Sequence, residues 1–222
     1  MRGVFVTGTD TGVGKSVVAA AICAGLAAGG ARVAAFKPVV TGLDDEPGDW
    51  PPDHELLASV TGQDPSAVAP WRFGPAASPH LAAELDGTTL EPTELLAAAR
   101  RAAAWADALV CEGVGGLMVP ITPGYLVRDL ALEMRMPVVI VARPGLGTIN
   151  HTLLTLEAAR AAGLEPRAVV MTPWPSEPSR LEQSNRETVE RLGHLPVAGL
   201  PHCTPGSLAE AAASLPLSDW LA

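Results

Sequence analysis

The chain has 222 residues, of which 48% are hydrophobic and 18% charged, and its formal net charge is −9. This length suits one full core or at most two small domains, and the hydrophobic content excludes a disordered protein. The negative charge argues against a nucleic-acid-binding protein, which needs basic patches, although a single loop can still bind phosphate locally.

The first predicted element is an apolar strand at Val4–Thr7, which a glycine-rich turn joins to a helix pattern at Ser16–Ala28. In such a unit, the backbone N–H groups of the loop and the positive end of the helix bind phosphate. Lys15 adds a positive charge, and the hydroxyl group of Ser16 can bind magnesium. Gly8 lies one residue before the first glycine of the common phosphate-loop motif, so this loop fits a deviant form of it. The alternative, a glycine-rich turn with an exposed lysine, is disfavoured by the strand before it and the helix after it.

Further strand and helix patterns alternate along the rest of the chain. The strand patterns are Arg32–Phe36, Ala108–Cys111, Val138–Val141, Ala168–Met171 and Pro196–Leu200, and the helix patterns are Pro92–Ala106, Leu126–Met134, Thr148–Ala162 and Pro178–Leu192. They predict an α/β fold with a P-loop NTPase-like parallel β-sheet, covered by helices on both faces, in a single domain over residues 1–222. The active site of such an open sheet lies at the carboxyl ends of its strands.

Lys37 follows the second predicted strand, close to the expected position of the phosphate loop. Lysines at strand ends commonly extend into solvent, but a phosphate cradle nearby and the hydroxyl group of Thr41 favour a functional role. The segment Leu43–Pro79 carries a short helix pattern at Glu55–Val60 and otherwise looks irregular. Its acidic, proline-rich start at Gly42–Pro52 is typical of a functional loop on the substrate side.

Glu112 follows the third predicted strand and precedes several glycines. A carboxylate in this place suits Mg²⁺, which binds proteins through few carboxylates together with substrate phosphates. A further acid is expected in the loop after Lys37, where four are available: Asp44, Asp45, Asp49 and Asp53. Asp53 either caps the helix that follows it or faces the metal. We expect both Glu112 and Asp53 to lie near solvent.

Five motifs occur in the order found in the dethiobiotin synthetase family, whose members catalyse the penultimate step of biotin synthesis. They are Gly8–Ser16, Lys37–Gly42, Ser78–His80, Glu112–Gly116 and Gly147–His151. The chain resembles this family from its first residues to about residue 171. Beyond that point, the resemblance rests on size and layout.

The resemblance implies an ATP- and Mg²⁺-dependent ring closure. CO₂ adds to an amine of 7,8-diaminononanoate, ATP phosphorylates the carbamate, and the second amine closes the cyclic urea with release of ADP and phosphate. The resemblance also implies a homodimer whose active sites lie at the subunit interface.

Carried over by position, the resemblance implies catalytic roles for Lys37, Lys15 and Thr11 and a metal site formed by Ser16, Asp53 and Glu112. The implied nucleotide-binding residues are Gly12, Val13, Gly14, Lys15, Ser16, Val17, Asp53, Glu112, Gly113, Val114, Gly115, Thr172, Pro173, Pro201, His202 and Cys203. The implied substrate-binding residues are Thr11, Lys37, Thr41, Gly147, Thr148, Ile149 and Asn150. The last four open a helix, and they form either a carboxylate site facing the other subunit or an ordinary helix start.

The chain departs from the family where adenine is read. Thr172, Pro173 and Trp174 follow the strand pattern at the place where the family usually has Asn-Asp. Thr172 offers only a short hydroxyl group and Pro173 has no backbone N–H, whereas Trp174 would stack on any base. We therefore expect a relaxed choice of nucleotide.

Three other functions compete with this interpretation. An ATPase switch of the kind that positions plasmids or the division site usually has a second lysine in the phosphate loop, where this chain has Asp10, and no amphipathic membrane-targeting tail is evident. An amide-forming ligase of cobalamin synthesis would need a glutaminase domain, for which 222 residues leave no room. A non-catalytic nucleotide-binding module would leave Lys37 and Thr41 without a purpose.

The remaining expectations concern the cellular compartment. No signal peptide precedes the first strand pattern, and no apolar run reaches the length that spans a membrane. Cys23, Cys111 and Cys203 are odd in number, widely spaced and surrounded by apolar residues. We expect buried, reduced thiols in a cytoplasmic protein, with neither a disulfide framework nor a metal cluster.

Overall fold

The computed structural model describes residues 2–46 and 48–221. Its strands are β1 (Gly3–Gly8), β2 (Val33–Phe36), β3 (Val39–Val40), β4 (Trp71–Arg72), β5 (Ala108–Gly116), β6 (Pro120–Thr122), β7 (Tyr125–Leu126), β8 (Val138–Ala142), β9 (Pro166–Trp174) and β10 (Val197–Pro201). Its helices are α1 (Lys15–Ala28), α2 (Asp53–Thr61), α3 (Pro65–Val68), α4 (Pro79–Asp86), α5 (Pro92–Ala103), α6 (Val127–Met134), α7 (Thr148–Ala161), α8 (Arg180–Gly193), α9 (Leu208–Ala212) and α10 (Leu217–Trp220).

The central sheet has six parallel strands in the order β10-β9-β8-β1-β5-β2, which confirms the predicted α/β architecture. Side chains alternate between two cores, one on each face of the sheet. In β1, Phe5 belongs to one core, and Val4 and Val6 belong to the other. The predicted continuous apolar strands are therefore explained by helices that cover both faces.

The segment Leu43–Pro79 is more regular than the sequence predicts. It contains α2, α3 and β4, and β4 pairs with β3 in a small parallel ladder. Gln63, between α2 and α3, accepts a hydrogen bond from the N–H of Ala35 at 2.6 Å and donates one to its carbonyl oxygen at 3.3 Å. Because β2 is an edge strand with otherwise unpaired backbone groups, this segment covers the edge of the sheet.

Strands β5 and β9 run further than predicted. The ladder between β1 and β5 continues through Glu112 to Gly116, and the ladder between β9 and β10 continues to Trp174. Glycine and proline are poor strand residues by local preference, so the sequence pattern ended each strand too early. Glu112 consequently lies inside a strand rather than after it.

The predicted free thiols are confirmed, because Cys23, Cys111 and Cys203 are all buried and unbridged. Burial raises the pKa of each of these thiols, which keeps them protonated. Within residues 2–46 and 48–221, the helices are too short or too polar to cross a membrane.

Candidate active site

The phosphate loop folds back tightly between β1 and α1, and its glycines permit this path. A Cβ atom added at Gly8 would lie 2.8 Å from Cγ2 of Val13 and 3.0 Å from Cδ of Lys15. At Gly14, φ is 93°, and an added Cβ would lie 2.7 Å from Cγ2 of Thr172. Both positions therefore require glycine. The deviant spacing of the motif places a glycine where the loop returns against its own strand.

Lys15 opens α1 and is only 7% exposed. Its ammonium group donates a hydrogen bond to the main-chain carbonyl of Asp10 at 2.8 Å. Burial and then the neighbouring charge of Lys37 lower the pKa of Lys15 to about 8. An anion bound in the loop would favour the charged form of this lysine.

Lys37 lies directly after β2, where its N–H donates to the carbonyl of Val68 at 2.9 Å. Its buried ammonium group contacts Oε1 of Glu112 at 2.5 Å and Oδ2 of Asp53 at 2.7 Å. Burial alone would lower the pKa of Lys37, but the two carboxylates outweigh it and raise the pKa above the usual range. Lys37 is therefore a fixed positive charge.

The two carboxylates differ in their surroundings, and one expectation about them is wrong. The side chain of Asp53 is 41% exposed, as expected, whereas that of Glu112 is 0% exposed. Burial raises the pKa of Glu112, and Lys37 opposes that effect. For Asp53, burial would also raise the pKa, but Lys37 outweighs it and lowers the pKa. The capping interpretation of Asp53 is wrong too, because Pro52 holds the N-cap of α2.

Ser16 completes this group, since its hydroxyl donates to Oε1 of Glu112 at 2.8 Å. The other oxygen, Oε2 of Glu112, is buried and has no hydrogen-bond partner among the described residues. A buried oxygen without a partner is costly, and a cation would satisfy it. Within residues 2–46 and 48–221, no group of three His, Cys, Asp or Glu residues could hold a metal by itself. Two carboxylates, one hydroxyl and room for phosphate fit Mg²⁺, which keeps substrate and water ligands.

These residues line one cavity of about 650 Å³. Twelve of the residues proposed from sequence contribute to its lining: Thr11, Gly12, Gly14, Lys15, Ser16, Val17, Lys37, Thr41, Asp53, Glu112, Val114 and Gly115. An apolar part of the wall comes from Trp50, Leu56 and Val119. The cavity thus combines two lysines, a set of oxygen ligands that suits Mg²⁺, and an apolar surface for a carbon chain.

A smaller cavity of about 330 Å³ is lined by the nucleotide-binding residues that were proposed near the ends of the last two strands, β9 and β10. Its lining includes Val13 of the loop and, from the ends of β9 and β10, Thr172, Pro173, Pro201, His202 and Cys203. Gly12, Gly14, Val17 and Trp50 line both cavities. The two cavities therefore adjoin over the start of α1.

The structure does not bring every predicted residue to these cavities. Gly113 is buried between Phe5 and Val127, because an added Cβ there would lie 3.1 Å and 3.0 Å from their side chains. Among the described residues that line the 650 Å³ and 330 Å³ cavities, none belongs to the segment 147–150. Helix α7 does begin at Thr148, as predicted, with Gly147 as its N-cap.

Two residues of the smaller cavity do not follow from the sequence pattern as it was interpreted, and a third, Trp174, lies elsewhere. Trp174 does not face the cavity: its ring packs against Gly199 and lies 5.4 Å from the guanidinium carbon of Arg186. Trp50 and Arg143 line the cavity instead, and Nη2 of Arg143 donates to the carbonyl of Gly12 at 3.2 Å. Arg143 directly follows β8, so the rule that pointed to Lys37 at a strand's carboxyl end would also have found it.

The parallel sheet and the phosphate loop define a P-loop NTPase-like fold. A family model described as an AAA domain matches residues 2–203. The chain is similar in fold to a ParA family ATPase from Chlorobium tepidum, with a TM-score of 0.55, 14% identity, and coverage of 96% of this chain and 90% of that one. It is also similar in fold to apo McdA from Cyanthece, with a TM-score of 0.54, 12% identity, and coverage of 99% and 92%.

Sequence comparison narrows this class. The chain is 37% identical over 207 residues to the ATP-dependent dethiobiotin synthetase of Anoxybacillus flavithermus, covering 92% of this chain and 93% of that protein. It is 40% identical over 195 residues to the enzyme of the same name from Brucella ovis, covering 87% and 85%. The chain belongs to the ATP-dependent dethiobiotin synthetase family, which confirms the resemblance found in the sequence.

Proposed function

We propose that this chain closes the cyclic urea of dethiobiotin on 7,8-diaminononanoate, using CO₂ and ATP and releasing ADP and phosphate. The named relatives support the overall reaction. Within this chain, the observation that carries the proposal is the buried ammonium group of Lys37, held by Glu112 and Asp53 in the cavity that the phosphate loop lines. It provides a fixed cation where a carbamate and a phosphoryl group would meet.

The reaction proceeds in three steps. One amine of the substrate adds to CO₂ and loses a proton, which gives a carbamate anion. A carbamate oxygen takes the γ-phosphoryl group of ATP, and ADP leaves. The second amine then attacks the carbonyl carbon of this mixed anhydride, phosphate departs, and the amine gives its proton to solvent as the ring closes.

The residues of the cavity supply position and charge for these steps. Lys15 and the loop N–H groups bind the β- and γ-phosphates, and Lys37 stabilises the charge on the carbamate and on the phosphoryl group in transfer. Because the carboxylates already hold Lys37 in place, little reorganisation is needed at the moment of reaction. The hydroxyl groups of Thr11 and Thr41 line the same cavity and hydrogen-bond the substrate end.

The proposed metal is Mg²⁺, with Ser16, Asp53 and Glu112 as its protein ligands. The partnerless buried oxygen of Glu112 and the adjacent hydroxyl of Ser16 support this assignment. When bound, the ion supplies positive charge that neutralises the phosphates. The nucleoside would extend from the phosphate loop into the 330 Å³ cavity between Thr172, Pro173 and residues 201–203.

We further propose that the chain forms a homodimer through a surface beside the phosphate loop. Leu146, Leu154 and Met118 are 93%, 57% and 55% exposed, although they are large and apolar. Met118 and Leu154 line a cavity of about 500 Å³ that also includes Thr11 of the loop. Clustered exposed apolar side chains are typical of an interaction surface. In such a dimer, the start of α7 would approach the other subunit's substrate.

The dimer is tested by Leu154→Asp, with Leu192→Asp as the control. Leu192 is similarly exposed but lies near the end of α8, at the amino-terminal edge of the sheet. Sedimentation equilibrium is expected to show a dimer for the wild type and for the control, and a monomer for Leu154→Asp. A wild type that is monomeric at assay concentration would refute the proposal.

The reaction itself is tested by incubation with 7,8-diaminononanoate, carbon-13 bicarbonate, Mg²⁺ and ATP, followed by mass spectrometry. Labelled dethiobiotin is expected, and the label must lie in the urea carbonyl. Phosphate release without a urea product would instead favour an ATPase switch. Against that alternative, Asp10 occupies the place of a second loop lysine, and its carboxylate accepts a hydrogen bond from the N–H of Thr11 within its own loop at 2.7 Å.

A further inference from the structure

The smaller cavity of about 330 Å³ is lined by one tryptophan, Trp50, and not by Trp174, which the sequence suggested. Trp50 comes from the loop before α2, whereas Thr172, Pro173 and Pro201 come from the ends of β9 and β10. Trp50 lines both this cavity and the phosphate cavity, as Val17 on α1 also does. It therefore lies where a nucleotide would pass from its phosphates to its base.

Trp50 is suited to bind a flat ring. Its indole is half-buried and packs against the core that contains Val18 and Leu56, so one part of the ring is anchored while the rest borders the cavity. At the end of β9, Thr172 has a short hydroxyl and Pro173 has no N–H, so these two residues provide little to read a base edge, while His202, whose side chain is an imidazole, lines the cavity beyond the end of β10. Stacking on an aromatic face is available to every base, since each presents a π-face.

We propose that Trp50 is the stacking surface for the nucleobase and that it supplies base affinity without selecting among bases. This inference rests on the proposed placement of the nucleotide in the two adjoining cavities. A purely structural role, in which Trp50 only packs its loop against the core, makes a different prediction. It would alter binding of the phosphates and of the nucleoside alike, because the loop also carries Pro51 to the phosphate cavity.

Inorganic tripolyphosphate separates these possibilities, because it fills the phosphate loop and carries no base. The test variant is Trp50→Leu, which keeps apolar bulk against the core but has no aromatic face. Trp50→Phe restores an aromatic ring, and Trp105→Leu is the matched control, since Trp105 is 44% exposed and lies beyond α5. Thermal unfolding of each variant is measured alongside, and dissociation constants for ATP, CTP and tripolyphosphate are measured by calorimetry with Mg²⁺.

Trp50→Leu is expected to weaken the binding of ATP and of CTP roughly 5- to 150-fold, which is the range that corresponds to the loss of one base–aromatic stack. The affinity for tripolyphosphate is expected to stay within about twofold of the wild-type value, because tripolyphosphate has no base that could stack on Trp50. Trp50→Phe should recover most of the nucleotide affinity, and Trp105→Leu should bind as the wild type does. Equal loss for all three ligands, or no loss for any, would overturn the role of Trp50. If tripolyphosphate does not compete with ATP for the wild type, the proposed phosphate site itself is wrong.

Discussion

Replacing Lys37 with Met should nearly abolish ring closure and also destabilise the protein, and the two effects can be separated. Lys37 and Glu112 are 4% and 0% exposed, so the variant leaves a buried carboxylate without its cation. Removing one partner of a buried pair typically costs about 3–5 kcal/mol. Loss of the contact with Asp53 adds less to the cost in free energy of unfolding, because the side chain of Asp53 is 41% exposed and screened by solvent. We therefore expect a loss of about 3 kcal/mol in the free energy of unfolding, towards the lower end of that range.

The loss should depend on pH in a defined direction. Without Lys37, burial raises the pKa of Glu112 further above its unfolded value, so the folded state binds more protons than the unfolded state. The Lys37→Met variant should then lose stability relative to the wild type as pH rises through the raised pKa of Glu112. The difference in the free energy of unfolding between the two proteins should be smaller at pH 5 than at pH 8. Urea unfolding at several pH values measures this difference.

The double variant Lys37→Met/Glu112→Gln provides the control. It removes the buried charge, so much of the lost stability should return, whereas activity should not. In single-turnover assays, loss of a preorganised charge worth about 3–4 kcal/mol predicts a rate at least about a hundredfold lower. Nucleotide affinity, measured by titration, should change little. A Lys37→Met variant that keeps more than about a third of the normal rate would remove Lys37 from the mechanism.

The other predictions concern metal, pH and base. Asp53→Asn should raise the Mg²⁺ concentration needed for half-maximal activity with little loss of stability; if Asp49→Asn has this effect and Asp53→Asn does not, the assigned loop acid is wrong. Glu112→Gln should raise the same requirement and also destabilise the fold, because Lys37 is buried against it. Without Mg²⁺, nucleotide binding above pH 8 should be accompanied by uptake of a proton, and the affinity should fall as pH rises. The reason is that Lys15 has a pKa of about 8 before the nucleotide binds, and bound phosphate favours its charged form. Calorimetry should detect this proton uptake in the wild type but not in Lys15→Arg. The kcat/KM values for ATP, CTP, GTP and UTP should lie within about tenfold of one another, which corresponds to ~1.4 kcal/mol, and a preference for ATP above a hundredfold would show that another part of the chain reads the base.

Local patterns in the sequence were sufficient for the sheet and for the residues around the phosphates. The glycines, Lys15 and Ser16 form one contiguous motif whose geometry follows from a strand, a tight turn and a helix start. Lys37 and Glu112 were found because parallel strands bring their carboxyl ends to one edge of a sheet. The family motifs then supplied the proposed roles.

Only the tertiary structure decided how these groups interact. Glu112 was expected near solvent, but it is fully buried because β5 continues beside β1 and encloses it. Trp174 was expected at the base, yet the alternation of β9 turns its ring to Gly199 and Arg186, while Trp50, more than 100 positions earlier in the chain, lines that cavity. Strand periodicity assigns a side chain to one face or the other, but which face meets a cavity depends on contacts between segments far apart in sequence. The same holds for the pKa values of Lys15 and Lys37, which burial and neighbouring charges set together.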